Sequence, residues 1–166
     1  MKNISLINQS TAILFVTVLL VLACGSKEND KVKEEALLLY RESMKVHDEV
    51  MPRMDEMFRL KNALKALGDS LSVDTVANAA RITEIKSGIA ALKSAGKDMM
   101  NWMHTIQDVP GAEENEQGKH NKASNLKTLT NEQLLKIQQD QKSAIDQVKI
   151  NMEESITRAK KILNKE

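Results

Sequence analysis

Thiols, aromatic rings and backbone breakers are all scarce in this chain. Cys24 is the one cysteine, which excludes an intrachain disulfide framework and a zinc site built on several thiolates. One tryptophan, one tyrosine and two phenylalanines mean that any core must be made of Leu, Ile, Met and Ala. Neither sign of charge dominates, with 24 basic against 23 acidic residues. That balance speaks against nucleic acid and against a polybasic membrane surface, both of which need clustered positive charge. There is no glycine-rich phosphate loop. No segment alternates polar and apolar residues for long enough to read as a strand.

One long apolar run is present, and it sits at the start. Lys2 provides a positive n-region, and "AILFVTVLLVLA" (Ala12 to Ala23) is an h-region of signal-peptide length. A membrane-spanning helix needs about 20 apolar residues, so this run is short for one. The junction "VLACGS" resembles a bacterial lipobox, with Val21 and Ala23 in pattern and Leu22 replacing the usual small residue. The resemblance implies cleavage before Cys24 and acylation of its thiol and new N-terminus. Two or three acyl chains make a stable anchor where one is marginal. Cleavage removes a single charge, that of Lys2, and leaves 23 basic and 23 acidic residues. The expected division is therefore a signal peptide over 1–23, a tether over 24–32 and one helical domain over 33–166.

Helical periodicity governs the rest. The spacing predicts helices over about 31–67, 73–107 and 130–165, with a loop over about 108–128. On the first, Leu37, Tyr40, Met44, His47, Val50, Met51, Met54, Phe58 and Leu64 share one broad arc, and Gly68 is placed to end the helix. Pro52 lies inside the arc and predicts a kink, because the stripe continues in phase beyond it; a break there would give a four-segment variant. The second carries Ile82, Ile85, Ile89, Leu92, Gly96, Met99, Met103 and Ile106 at spacings of 3 and 4, with Ser72 or Asp74 as its N-cap. Gly88 and Gly96 suggest close helix approach. Pro110, Gly111 and Gly118 mark the loop, whose polar composition predicts that it does not dock. The third announces itself with Thr130 and Gln133 as a capping box and Leu129 and Leu134 as a hydrophobic staple. Each helix would be about 50 Å long. The fold expected is all-α: an elongated three-helix, up-down-up bundle hanging from a lipid-anchored N-terminal tether.

Chemistry concentrates in "HDEVMPRMDEM" (His47 to Met57). Met44, His47, Met51 and Met54 share a helix face, and Met99 and Met103 share one on the next helix, with Met100 and His104 at its edge. In a hairpin turning near residue 70, Met44 and His47 would lie opposite about Gly96 and Leu92. Thioether and imidazole together are donors suited to Cu(I). The same positions are the ones a bundle must bury, and methionine fills irregular gaps beside a kink. Packing is the reading these residues favour; copper is the alternative. A di-iron bundle needs Glu-x-x-His, and the residues three before the histidines are Met44, Asn101 and Gln117. His47, Asp48 and Glu49 are consecutive and point apart on a helix, so they form no catalytic triad. His120 falls in the polar loop, and Trp102 flanks the second stripe as a partly buried residue.

Together "HDEVMPRMDEM", "MMNWMH" and "VKINMEESITRAKKIL", in this order behind a lipobox, resemble a family of small Bacteroidota lipoproteins often labelled "viral A-type inclusion protein". The resemblance covers most of the mature chain. It implies a helical lipoprotein and no established activity. "SKEND" (Ser26 to Asp30) is similar to the short charged signal that follows the cysteine in surface lipoproteins of that phylum. The expectation is a non-enzymatic, lipid-anchored outer-membrane protein facing the periplasm or the cell surface. It would bind an envelope partner or play a structural role, with copper binding as the second possibility.

Overall fold

A computed structural model describes residues 24–112 and 129–164, with side chains from residue 28 onward. The expected signal peptide, His120 and the segment 113–128 of the expected loop lie outside the described residues. Four α-helices make up the fold: α1 (Cys24–Val50), α2 (Arg53–Leu71), α3 (Ala79–Thr105) and α4 (Asn131–Leu163), with a 3-10 turn over Ser72–Asp74. α1 and α2 together form one arm, so the architecture is the all-α, up-down-up bundle of three rods. Ion pairs joining Glu49 to Lys149, Arg53 to Glu153 and Glu56 to Lys160 show that this arm runs parallel to α4. The Trp102 indole bonded to the Gln141 carbonyl and the Arg158 guanidinium bonded to Ser87 show that α3 runs antiparallel to α4.

The single first helix expected over 31–67 is instead two. Pro52 has no amide hydrogen to give the Asp48 carbonyl, and the regular bonding lapses at Met51 and Pro52. The chain nonetheless keeps helical dihedrals (φ −60°, ψ −21° at Pro52). Met51 N–H still reaches the His47 carbonyl at 2.9 Å, and Met54 N–H takes the Met51 carbonyl at 3.1 Å, a tighter i−3 bond. Asp55 and Glu56 then supply negative charge to the first turn of α2. The expected tether is also helical: α1 begins at Cys24, and Asn29 accepts hydrogen bonds from the Asn131 amide at the head of α4.

Gly68 does not end the helix. α2 runs on to Leu71, and Ser72 closes it by returning both its amide and its hydroxyl to the Gly68 carbonyl. The second expected helix starts later than 73. Asp74 caps a local turn by accepting from Ala77 N–H, and the Asn78 amide ties Leu71 to Asp74 through their carbonyls. These bonds hold residues 72–78 as the distal turn, with Val73 and Val76 93% and 89% exposed. At the other end of the hairpin the start of the loop is docked. Val109 is buried with Ala36 and Leu134, and Leu129 packs on the same cluster. The staple and the capping box both form, with Thr130 Oγ1 accepting from Gln133 N–H and Gln133 Oε1 accepting from Thr130 N–H.

Burial follows a seven-residue period. Ala36, Ser43, Val50, Met57 and Leu64 form one line that passes through the proline joint without losing phase. Phe58, expected inside, is therefore one position off the line and 59% exposed. On α3 the line Ile85, Leu92, Met99, Ile106 is joined by Gly88, Ala95, Trp102 and, beyond the helix, Val109. Gly88, rather than Gly96, marks the closest approach. A Cβ there would meet Ile162 Cδ1 at 2.6 Å and Leu64 Cδ1 at 3.2 Å, while one at Gly96 would meet only Met54 and Met57 methyls at 3.7 and 4.0 Å.

These two glycines should therefore respond in opposite directions. Gly96→Ala gains helix propensity without a clash and should raise stability by about 0.5–1 kcal/mol. Gly88→Ala gains the same propensity but forces fully buried neighbours apart, and should lower stability by about 1–2 kcal/mol net. Urea unfolding of both variants beside the parent checks this, and a stabilised Gly88→Ala would contradict the packing described.

Candidate functional site

The residues with chemical potential gather on the side of the bundle where α1 meets α3. The hairpin turns near residue 75 rather than 70, because α2 extends past Gly68. Gly96 consequently faces Met54 and Met57, and His47 faces Trp102. The expected placement of Met44 and His47 opposite about Gly96 and Leu92 is thus displaced, and His47 meets Trp102 further along α3.

His47 sits one turn before the Pro52 joint. Its ring stacks on the Trp102 indole with centroids 5.7 Å apart and planes inclined by 26°. Nδ1 lies 2.9 Å from Asp48 Oδ1 at the surface. Nε2 is turned inward, is buried, and has no hydrogen-bond partner among the described residues. Donation from Nδ1–H to the carboxylate leaves Nε2 as the bare lone pair. A buried polar atom without a partner costs about 1–3 kcal/mol, and packing alone does not require it.

The methionines divide into two groups. Met44 and Met51 flank His47 at i−3 and i+4 on α1, and Met99 and Met103 flank Trp102 on α3; all four belong to or pack on the main core cluster. Met99 is fully buried. Each of these lies within about one turn, roughly 5 Å along the axis, of the His47 level. Met54 does not join them, since its methyl lies near Gly96, about two turns further on. Met100 is 43% exposed, and the exposed His104 places Nδ1 2.6 Å from the Met100 carbonyl, so neither belongs to the cluster. Among the described residues, no group of three or more His, Cys, Asp or Glu side chains is placed to hold a metal ion.

Trp102 is the residue that the sequence reading undervalued. It is buried at 4% exposure and donates Nε1–H to the Gln141 carbonyl at 3.0 Å. Its place seven residues after Ala95 and seven before Val109 was the available signal. Nearby polar groups were not anticipated. Gln138 is fully buried and donates to the Gln107 carbonyl at 3.0 Å, Gln141 reaches the Thr105 carbonyl at 3.4 Å, and the Oε1 atoms of both carry no partner among the described residues. These amides close the C-terminal end of α3, whose carbonyls have no further helix to bond them. Tyr40 completes that closure by donating its hydroxyl to Asp108 Oδ1 at 3.1 Å. Burial, then the Asp108 charge and the hydrogen bond, push the Tyr40 hydroxyl up to about 12.

Comparison with known protein families, with curated proteins and with solved structures finds no match for this chain.

Two expectations follow. Met99→Ala should cost about 2–5 kcal/mol, as full truncations in a packed core do, while Met51→Ala and Met54→Ala, only half-buried, should cost less. His47→Leu should keep the fold and gain stability, since an unpartnered nitrogen leaves the interior. Thermal unfolding of the four variants decides the ranking. The second concerns Tyr40, the sole tyrosine. Its raised folded pKa means that its contribution is complete below the ordinary tyrosine value near 10 and is lost as pH rises toward about 12. An ultraviolet phenolate titration should give a midpoint near 12, and Asp108→Asn should bring it down; a midpoint near 10 in the parent would show that the Tyr40–Asp108 contact does not form.

Proposed function

We propose that this chain is a non-enzymatic lipoprotein of a bacterial envelope, held to the outer membrane by acyl groups on Cys24 and using its bundle as a stiff arm for an envelope partner. The observation that carries the reading is the order of the sequence, an apolar run from Ala12 to Ala23 followed directly by the sole cysteine, Cys24, and then by the polar start of the long helical arm. The arm from Cys24 to Leu71, helical but for the joint, is about 70 Å long at 1.5 Å per residue. Lipid on Cys24 would lie at one end, and the exposed Val73 and Val76 at the other. The h-region and lipobox-like junction, and the likeness to the Bacteroidota lipoproteins, support the anchor. No described helix is long and apolar enough to cross a membrane.

Cys24→Ser should abolish acylation and release the protein from the membrane fraction. Mass measurement of the mature N-terminus is the decisive reading, and an unmodified Cys24 in the natural protein would end the lipoprotein proposal. The partner half is tested separately by Val73→Asp with Val76→Asp. Both sites are exposed, so stability should stay within about 0.5 kcal/mol. A protein that co-purifies with the lipidated parent should be lost from the variant. Retention of every co-purifying protein would move the partner surface away from the tip.

A further inference from the structure

We infer that His47 Nε2 and the surrounding thioethers form a binding site for one soft monovalent cation of the Cu(I) class. The inference goes beyond the envelope-arm reading and stands apart from it.

Three features at one level of the bundle carry it. First, Nε2 is a buried nitrogen with no partner among the described residues, while Nδ1 is held 2.9 Å from the Asp48 carboxylate. A carboxylate on the outer ring nitrogen is the arrangement that fixes the tautomer and raises the basicity of a metal-ligating histidine. Second, four methionines stand within about one helical turn of the His47 level, Met44 and Met51 on α1 and Met99 and Met103 on α3, all in or against the main core cluster. Thioethers are neutral and soft, so with one imidazole they suit a monovalent d10 cation and not a hard divalent one. Third, Trp102 stacks on the His47 ring and fixes its plane, so that Nε2 is held at one place in the interior. Core packing accounts for the methionines. It does not account for a histidine whose inward nitrogen has nothing to bond. Leucine would fill the same space without the unpaired atom. A cation on Nε2 would supply the missing partner and would draw its further donors from the methionines at that level.

The test is an anaerobic titration of the full chain, carrying Cys24→Ser so that no thiol competes, with Cu(I) against a chromogenic Cu(I) chelator. Binding should saturate at one equivalent and quench the emission of the sole tryptophan, Trp102. His47→Leu should remove the saturable binding while circular dichroism stays unchanged. Met44→Leu with Met51→Leu, which preserves volume, should weaken binding at least tenfold and guards against a His47 variant that fails to fold. Asp48→Ala gives the sharpest reading. Asp48 is a solvent-facing side chain whose change should leave the melting temperature in place, yet loss of an outer partner should lower the affinity about 10–100-fold. Absence of saturable binding overturns the inference, as does binding that His47→Leu and the methionine pair leave intact.

Discussion

Pro52 has no amide hydrogen, and the bundle is arranged around that absence. An arm of 27 and 19 residues meets at this joint with one backbone bond missing. α4 runs unbroken for 33 residues along both halves and acts as the splint. Its charged face grips the arm on each side of the joint, through Lys149 on Glu49 before it and through Glu153 and Lys160 on Arg53 and Glu56 after it. Hydrogen bonding from Lys149 and Lys160 holds the Glu49 and Glu56 carboxyls below their usual range. Exposed pairs of this kind contribute little each. Their role is to fix register, and the energy comes from the buried line Val50, Met57, Leu64 beneath them.

A seven-residue line carried through a proline explains what the sequence disclosed and what it hid. Period, cap and staple are local features, so the three rods, their directions and the start of α4 at Asn131 could be read directly. The limits of α2 and α3 could not. Ser72, Asp74 and Asn78 share the turn's carbonyls and amides among themselves, and nothing in a list of capping residues says which of them ends a helix and which starts one. Misplacing that turn by about five residues moved the hairpin register, and with it the expected partners of His47. Phe58 failed for a related reason: a wide arc on a helical wheel admits either Met57 or Phe58, and the strict heptad admits only Met57.

The candidate site was half legible. Residue types and helix faces pointed to His47 and its methionines, whereas the stacking on Trp102 and the inward turn of Nε2 depend on tertiary register. Met54 shows the limit of a face argument. It shares the stripe with Met51, yet the joint lies between them, and Met54 is spent against Gly96 on a different level.

The location of the cluster gives it a mechanical meaning. α1 packs mainly on α4, and it also meets α3 and the residues just after it, through the His47–Trp102 stack, Tyr40 on Asp108 and Ala36 in one cluster with Val109. α2, beyond the joint, packs on both α3 and α4. The bundle is therefore three rods thick and tightly tied toward its distal turn, and more loosely tied from the joint back toward Cys24. A ligand held between His47 and the α3 methionines would join α1 to α3 beside the His47–Trp102 stack. It would bind the folded arrangement only, because the donors come from helices brought together by the turn at residues 72–78. Occupancy would then stabilise the folded bundle, by an amount set by ligand concentration relative to its dissociation constant. The missing hydrogen bond that divides α1 from α2 thus lies close to the half-buried imidazole of His47, whose inward nitrogen is the donor such a ligand would take.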